Sequence, residues 1–399
     1  MKIALVIPGR FHGFDLARAL LARGHDVTVF TNYPRWATRR FGLPDDRVRS
    51  FATHGALTRL AARLPGTWMT RRLEAPFHRL LGRWAERALR GERWDVIHGW
   101  SGVSEELLRS PRVVRGATVL MRGSAHILEQ SRLLEDEEAR ARTPLDRPSP
   151  WMIARELREY ELADRIMVLS TFSLESFTRR GVPRERLAMV PLGVEVSAFR
   201  PSAAVLADRR RRILGGGRLR ALYVGAVSLR KGALDFAEAI ERLEGTPIDF
   251  TFVGPILPEA REVVNRLRGR AAFAGKLPQR DLPRQYWSAD LFVFPTIEDG
   301  FPTVLAQAKA AGLPIVTTRH GAGVDIVRDG RDGWLVPVRD GRALAARLAA
   351  LATDRVGLAD MAQAVAATFQ PRDWSDVARE FDTVCSELTG GRRTEGRDV

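Results

Sequence analysis

Lys231 follows Arg230 in the run Leu222-Tyr-Val-Gly-Ala-Val-Ser-Leu-Arg-Lys-Gly232, where an apolar strand gives way to a loop ending in two cations and a glycine. The chain carries 63 lysines and arginines, of which four are lysine, so a lysine at a strand-to-loop junction is informative. An arginine offers a planar fork to phosphate oxygens and a lysine a compact charge on a flexible stem. Side by side they suit a diphosphate. The alternative is an exposed pair ahead of a helix from Ala233, although cations there oppose the helix dipole.

A second constellation is Pro295-Thr-Ile-Glu-Asp-Gly-Phe-Pro-Thr-Val-Leu-Ala-Gln307. A strand ends, two acids follow, and Gly300 leads into a helix whose first amides are free. Asp299 and Gln307 lie about two helical turns apart, which aims both at one cleft. Asp299 could equally be a helix N-cap. A third loop, Pro8-Gly-Arg-Phe-His-Gly-Phe-Asp15, joins strand to helix, and Gly13 would let helix amides approach a ligand or simply make a tight turn. It lacks the Gly-Lys-Ser/Thr ending of a phosphate-binding Walker loop.

These loops need strands behind them and helices after them. Short apolar runs alternate with longer helical patterns throughout, the signature of parallel sheets with crossover helices. In the first half the strands are read at Lys2–Ile7, Asp26–Phe30, Val96–His98, Ala117–Met121, Arg165–Leu169 and Ala188–Pro191. The pattern restarts at Arg220–Val224 and continues through Ile248–Val253, Ala271–Ala274, Leu291–Pro295, Pro314–Thr317 and Gly333–Val336. Between the halves, Arg209–Arg212 and Gly215–Gly217 read as a linker. The expectation is an α/β chain of two doubly wound, Rossmann-like domains at 1–200 and 201–368. A helix at 369–389 returns to the first domain, and a disordered tail covers 390–399. Ligands of such sheets bind beyond the carboxyl ends of the strands.

Composition narrows the function. A single cysteine, Cys385, rules out an internal disulfide and a thiolate metal site, and fits a reducing, cytoplasmic setting. The formal charge is +15, and residues 1–100 hold 18 cations against 8 acids, so the surplus is N-terminal. Within 56–94, Arg59, Arg63, Arg71, Arg72, Arg79, Arg83, Arg87, Arg90 and Arg93 alternate with Trp68, Met69, Phe77, Trp84 and Trp94. That mixture suits peripheral contact with an anionic membrane, or solvated amphipathic helices. A nucleic-acid partner is not expected, because no zinc-finger spacing, RNA-binding aromatic signature or continuous basic helix occurs. Glu135-Asp-Glu-Glu138, the densest acidic run, reads as a solvated helix face.

The motifs taken together resemble the retaining glycosyltransferases of family 4. They are Gly225-x5-Lys231-Gly232 after a strand, Phe273-x-Gly275, Ala289-Asp-x-Phe-Val-Phe-Pro295, Asp299-Gly-Phe301 and Ala310-x-Gly-x-Pro-Ile-Val316. Arg-Gly-His-Asp-Val at 23–27, Val190-Pro-Leu-Gly-Val194 and Trp374 add to them, so the resemblance spans nearly the whole chain. It implies the GT-B architecture and transfer of a sugar from a nucleotide-sugar to a glycan or lipid-linked acceptor, without metal or other cofactor.

It also implies roles. Lys231 and Arg230 would hold the donor diphosphate, with Gly225 in the same loop. Asp299, or Glu298 turned inward, would meet donor-sugar hydroxyls. The amides of Gly300, Phe301, Thr303 and Val304 would face phosphate or sugar, Gln307 the ribose, and Gly275 to Leu277 the base. His126 would lie near the transferred sugar. Two features depart from the family: an arginine expected after the glycine of the phosphate loop is Ala226, and the usual pair of glutamates is Asp299 and Gln307. Those departures leave two alternatives, a non-catalytic nucleotide-sugar-binding protein of the same fold and a GT-B sugar-nucleotide epimerase.

Overall fold

The computed structural model describes residues 1–62 and 67–395, with side chains described through 62 and from 71 to 390. Residues 2–189 build one parallel sheet from β1 (Lys2–Ile7), β2 (Asp26–Thr31), β3 (Val48–Ser50), β4 (Val96–Trp100), β5 (Ala117–Met121), β6 (Arg165–Val168) and β7 (Leu187–Met189). Residues 219–336 build a second from β8 (Leu219–Val224), β9 (Ile248–Val253), β10 (Ala271–Gly275), β11 (Leu291–Phe294), β12 (Ile315–Thr318) and β13 (Gly333–Val336). The central strands are apolar on both faces because helices cover both; in β1 only Lys2 escapes full burial, whereas no residue of the edge strand β10 is fully buried.

The strand orders are β3-β2-β1-β4-β5-β6-β7 and β10-β9-β8-β11-β12-β13. Each order reverses once, between β1 and β4 and between β8 and β11. At such a reversal the loops of two neighbouring strands part and leave a crevice. β3 was not read from the sequence: of its three residues, Val-Arg-Ser, only Val48 is apolar, whereas the equally short β7, Leu-Ala-Met, continues an apolar run.

Three readings of the sequence need correcting. Arg209–Arg212 belongs to a helix, Ala203–Leu214, rather than to a linker. Arg209 is 1% exposed and donates to the carbonyls of Ala311, Gly312 and Tyr286, a use of an arginine that a charge run does not advertise. The acidic run is not solvated throughout either: Glu135 is exposed, but Glu137 turns inward. Glu137 is fully buried and pairs with Arg140 and Arg339, the latter contributed by the second sheet's half of the chain. The last helix spans Trp374–Glu395, entering the stretch read as a disordered tail; residues 396–399 lie outside the described ones. Its Val377, Ala378 and Phe381 join the core beneath the first sheet.

The basic aromatic segment is also rearranged. Trp94 is buried, Trp84 packs against Phe30 and Phe51, and Phe77 meets the edge of His54. Trp84 and Trp94 thus pack into the core, whereas Phe77 lines a cavity beside the first sheet. Nothing is described for the side chains of Trp68 and Met69, nor for Arg63.

Candidate active site

The loops after β8 and β11 leave adjacent strands on either side of the reversal, which puts Lys231 and Asp299 together. Leu229–Lys231 forms a short 3-10 turn capped by the Ser228 hydroxyl, which accepts from the Lys231 amide at 3.3 Å. Gly232 then takes φ 79°, and a Cβ there would lie 1.8 Å from the Pro295 carbonyl oxygen. Only glycine allows the two loops to close that far. The amides of Ile297 and Glu298 donate to the Arg230 carbonyl at 3.0 and 3.3 Å, joining one loop to the other.

Within this frame the Lys231 ammonium donates to Asp299 Oδ2 at 2.5 Å and to the Glu298 carbonyl at 3.0 Å. Its side chain is largely buried, so the reading of an exposed cation pair fails for Lys231. Burial pushes its pKa down; Asp299 opposes the shift and the neighbouring Arg230 adds to it. Arg230 is more open and holds Glu298 Oε2 through Nε at 2.7 Å. Asp299 is not an N-cap: the helix Thr303–Ala310 starts after Pro302 with no side-chain cap, which leaves its first amides available.

Glu298 does not turn toward a donor sugar. It is fully buried and points across to the first sheet, where Ser124 Oγ donates to Oε1 and Gln130 Nε2 to Oε2 at 3.3 Å. Burial alone would raise its pKa, but Arg230, Lys231, the Ser124 hydroxyl and Arg122 outweigh it and hold the carboxyl at about 2. Ser124 and Gln130 were not foreseen. They lie more than 160 residues from Glu298 in the chain, and no local pattern marks such a pairing.

His126 is likewise misplaced by the sequence reading. It is 3% exposed, its ring packed against Tyr160 and Phe177, and its Nδ1 accepts from the Leu128 amide as a helix cap. Burial, with Arg122 and Arg180 adding to it, lowers its pKa to about 4. A histidine one residue before a helix does capping work here, with its ring held by aromatic packing. Gly13 also answers to packing: a Cβ would lie 2.3 Å from Ile7 and 2.8 Å from Trp100.

The remaining positions fall around the same crevice. Gly300 meets the first sheet's half of the chain so closely that a Cβ would lie 1.9 Å from the Gly123 oxygen. Phe301 packs, partly buried, against the cores of both sheets, and Val304 and Leu277 against the second. Thr303 opens the helix with a half-buried side chain. Gln307 sits on that helix and its amide oxygen accepts from Tyr286 at 3.0 Å, which fixes its orientation. Gly225 and Gly275 lie at the ends of β8 and β10, the strands on either side of β9, the Gly275 carbonyl accepting from the Gly254 amide at 2.8 Å.

The first sheet contributes a cavity of about 340 Å³ at its carboxyl edge, lined in part by Gly9, Asn32, Tyr33, His54, Arg59 and His78. Burial lowers both imidazoles from their ordinary value, against hydrogen bonds to the Phe77 and Gly102 carbonyls. They are neutral at pH 7, one polar face in a partly aromatic wall.

Residues 218–354 match the family described as Glycosyl transferases group 1, and residues 11–198 match Glycosyltransferase Family 4. The chain is 27% identical over 203 residues to WcaL of Escherichia coli, named for colanic acid biosynthesis; the match covers 48% of each chain, so the chain spans about half the length of that relative. It is 28% identical over 351 residues to the D-inositol 3-phosphate glycosyltransferase of Acidothermus cellulolyticus, covering 82% of this chain and 73% of that one. Among solved structures, Anabaena HepE in complex with UDP and glucose superposes with a TM-score of 0.64 at 16% identity, over 97% of this chain and 100% of the other. That likeness concerns the fold, the GT-B pairing of two Rossmann-like halves. With both halves matched by the models of one group, the chain belongs to the family 4 glycosyltransferases.

Proposed function

We propose that the protein moves a sugar from a nucleotide-sugar to an acceptor hydroxyl, with retention at the anomeric carbon and no metal, in the assembly of a glycan or glycolipid. The observation that carries this reading is the largely buried ammonium of Lys231 at the strand-order reversal, 2.5 Å from Asp299 and beside Arg230.

As the bond from the anomeric carbon to the diphosphate stretches, negative charge grows on the leaving oxygens. Lys231, the outer nitrogens of Arg230 and the free amides before Val304 are fixed in advance to meet it, the arrangement that lowers a charged transition state most. Asp299 then exchanges part of its contact with Lys231 for sugar hydroxyls. Gln307, oriented by Tyr286, presents its amide to the ribose, and the backbone at Gly275 to Leu277 borders the base. The acceptor enters from the first sheet's cavity, and its proton passes to the departing phosphate oxygen on the same face. The acceptor class is a glycan or lipid-linked glycan met by a peripheral cytoplasmic protein.

Thermal unfolding of the protein with a panel of nucleotide-sugars tests the binding half of this reading. At least one donor is expected to raise the unfolding temperature, and Lys231→Ala to abolish the shift. A flat response to every donor would remove the basis for the reading.

A further inference from the structure

We propose that an anionic lipid bilayer docks on the rim formed by the loops after β1, β2 and β3, with Phe11 and Trp36 entering the interface.

Four of the nine large apolar side chains exposed among the described residues lie at this edge. Phe11 is 61% exposed, Trp36 62%, Leu57 51% and Leu60 60%. Strands β3, β2 and β1 are neighbours in the sheet, so the segments that follow them emerge side by side. An apolar surface gathered in this way marks a contact site more often than chance exposure does. Phe11 adds a second observation. It is a non-glycine residue at φ 37°, a costly conformation for an aromatic residue, and the result is a ring directed away from the core.

Charge selects the partner. Each apolar residue has an arginine beside it: Arg10 with Phe11, Arg35 with Trp36, and Arg59 between Leu57 and Leu60. Arg40 lies 5.1 Å over the Trp36 ring. Arg35, Arg40 and Arg59 form no ion pair with a carboxylate among the described residues, and all are exposed. Aromatic rings at the level of lipid headgroups, flanked by cations, are the elements of an interfacial anchor on anionic lipid. In the helix Thr67–Leu89, which the sequence pattern favoured for this role, Trp84 packs against the core and Phe77 lines the cavity of the first sheet.

The cavity of the first sheet is lined by the same loops, through Pro8 and Gly9, Asn32 and Tyr33, and Thr58 and Arg59. A bilayer on this rim would face its mouth, which places a lipid-borne acceptor within reach; that last step rests on the glycosyltransferase reading, whereas docking does not.

Co-sedimentation of the full chain with vesicles separates the two. Vesicles of equal parts phosphatidylcholine and phosphatidylglycerol are expected to bind it and pure phosphatidylcholine vesicles to bind it weakly. The double variant Phe11→Ser, Trp36→Ser should bind about tenfold more weakly. Val356→Ser, an exposed residue of the second half, should bind like wild type, and unchanged thermal unfolding of all variants keeps the comparison fair. Equal binding to both vesicle types, or binding that survives the double variant, would overturn the proposal. So would a wild-type dimer that the double variant converts to monomer, since the rim would then belong to a second copy of the chain.

Discussion

Arg230 has two partners to serve, the buried Glu298 carboxylate and the incoming diphosphate, and the two can be separated by substitution. Arg230→Ala leaves Glu298 buried without its cation and is expected to cost about 2 kcal/mol of stability, read by chemical denaturation. Adding Glu298→Gln should return most of that stability and none of the donor affinity, which a titration with the cognate donor would measure. Glu298 also predicts an acid response. Its folded pKa of about 2 lies below the ordinary 4.5, so its contribution to stability is full above pH 4.5 and lost as pH falls toward 2. Glu298→Gln should flatten that part of the stability profile; an unchanged slope would place the acid sensitivity elsewhere. At this scale the sequence showed residue types but not directions. Lys231 and Asp299 were legible because each follows a strand, and strand ends converge. The orientation of Glu298 and the burial of His126 depend on partners far away in the chain, Ser124 in one case and Tyr160 with Phe177 in the other.

The loop after β8 and the loop after β11 act as one element, closed by Gly232 against the Pro295 carbonyl. Gly232→Ala would put a Cβ into that oxygen at a backbone angle alanine disfavours, and is expected to cost about 3 kcal/mol. Because the clash parts the two loops, donor binding should fall as well; full affinity in a folded Gly232→Ala protein would contradict the coupling. Elements of this kind were the most legible part of the fold. Apolar strands of four to six residues and the helices between them read directly from periodicity, since burial on both faces leaves an unbroken apolar run. β3 was not legible because only one of its three residues is apolar, and the helix Ala203–Leu214 was hidden by its arginines, because an arginine buried to bond three carbonyls looks in sequence like any solvated one.

Across the whole molecule the halves are joined by ion pairs and hydrogen bonds around the crevice. Arg140 reaches Asp235 at 2.6 Å, Arg339 holds Glu137 at 3.0 Å, and the Thr171 amide and hydroxyl bond Asp325. Arg339 does so at φ 60°, a left-handed conformation rarely taken by arginine. Arg339→Ala removes one of the two cations on a fully buried carboxylate, the one that crosses between the halves, and should loosen them. Small-angle scattering of the variant is expected to show a larger radius of gyration, and an unchanged radius would mean the other contacts suffice. None of this was visible in the sequence, where Glu137 stood in a run of acids.

The central claim concerns chemistry at the joined loops, and release of nucleoside diphosphate from a donor panel in the presence of a glycan or lipid-linked acceptor tests it directly. One donor should be consumed by the wild-type protein, with Lys231→Ala slower by about a hundredfold or more. Turnover unaffected by Lys231→Ala, or no turnover of any donor, would contradict it.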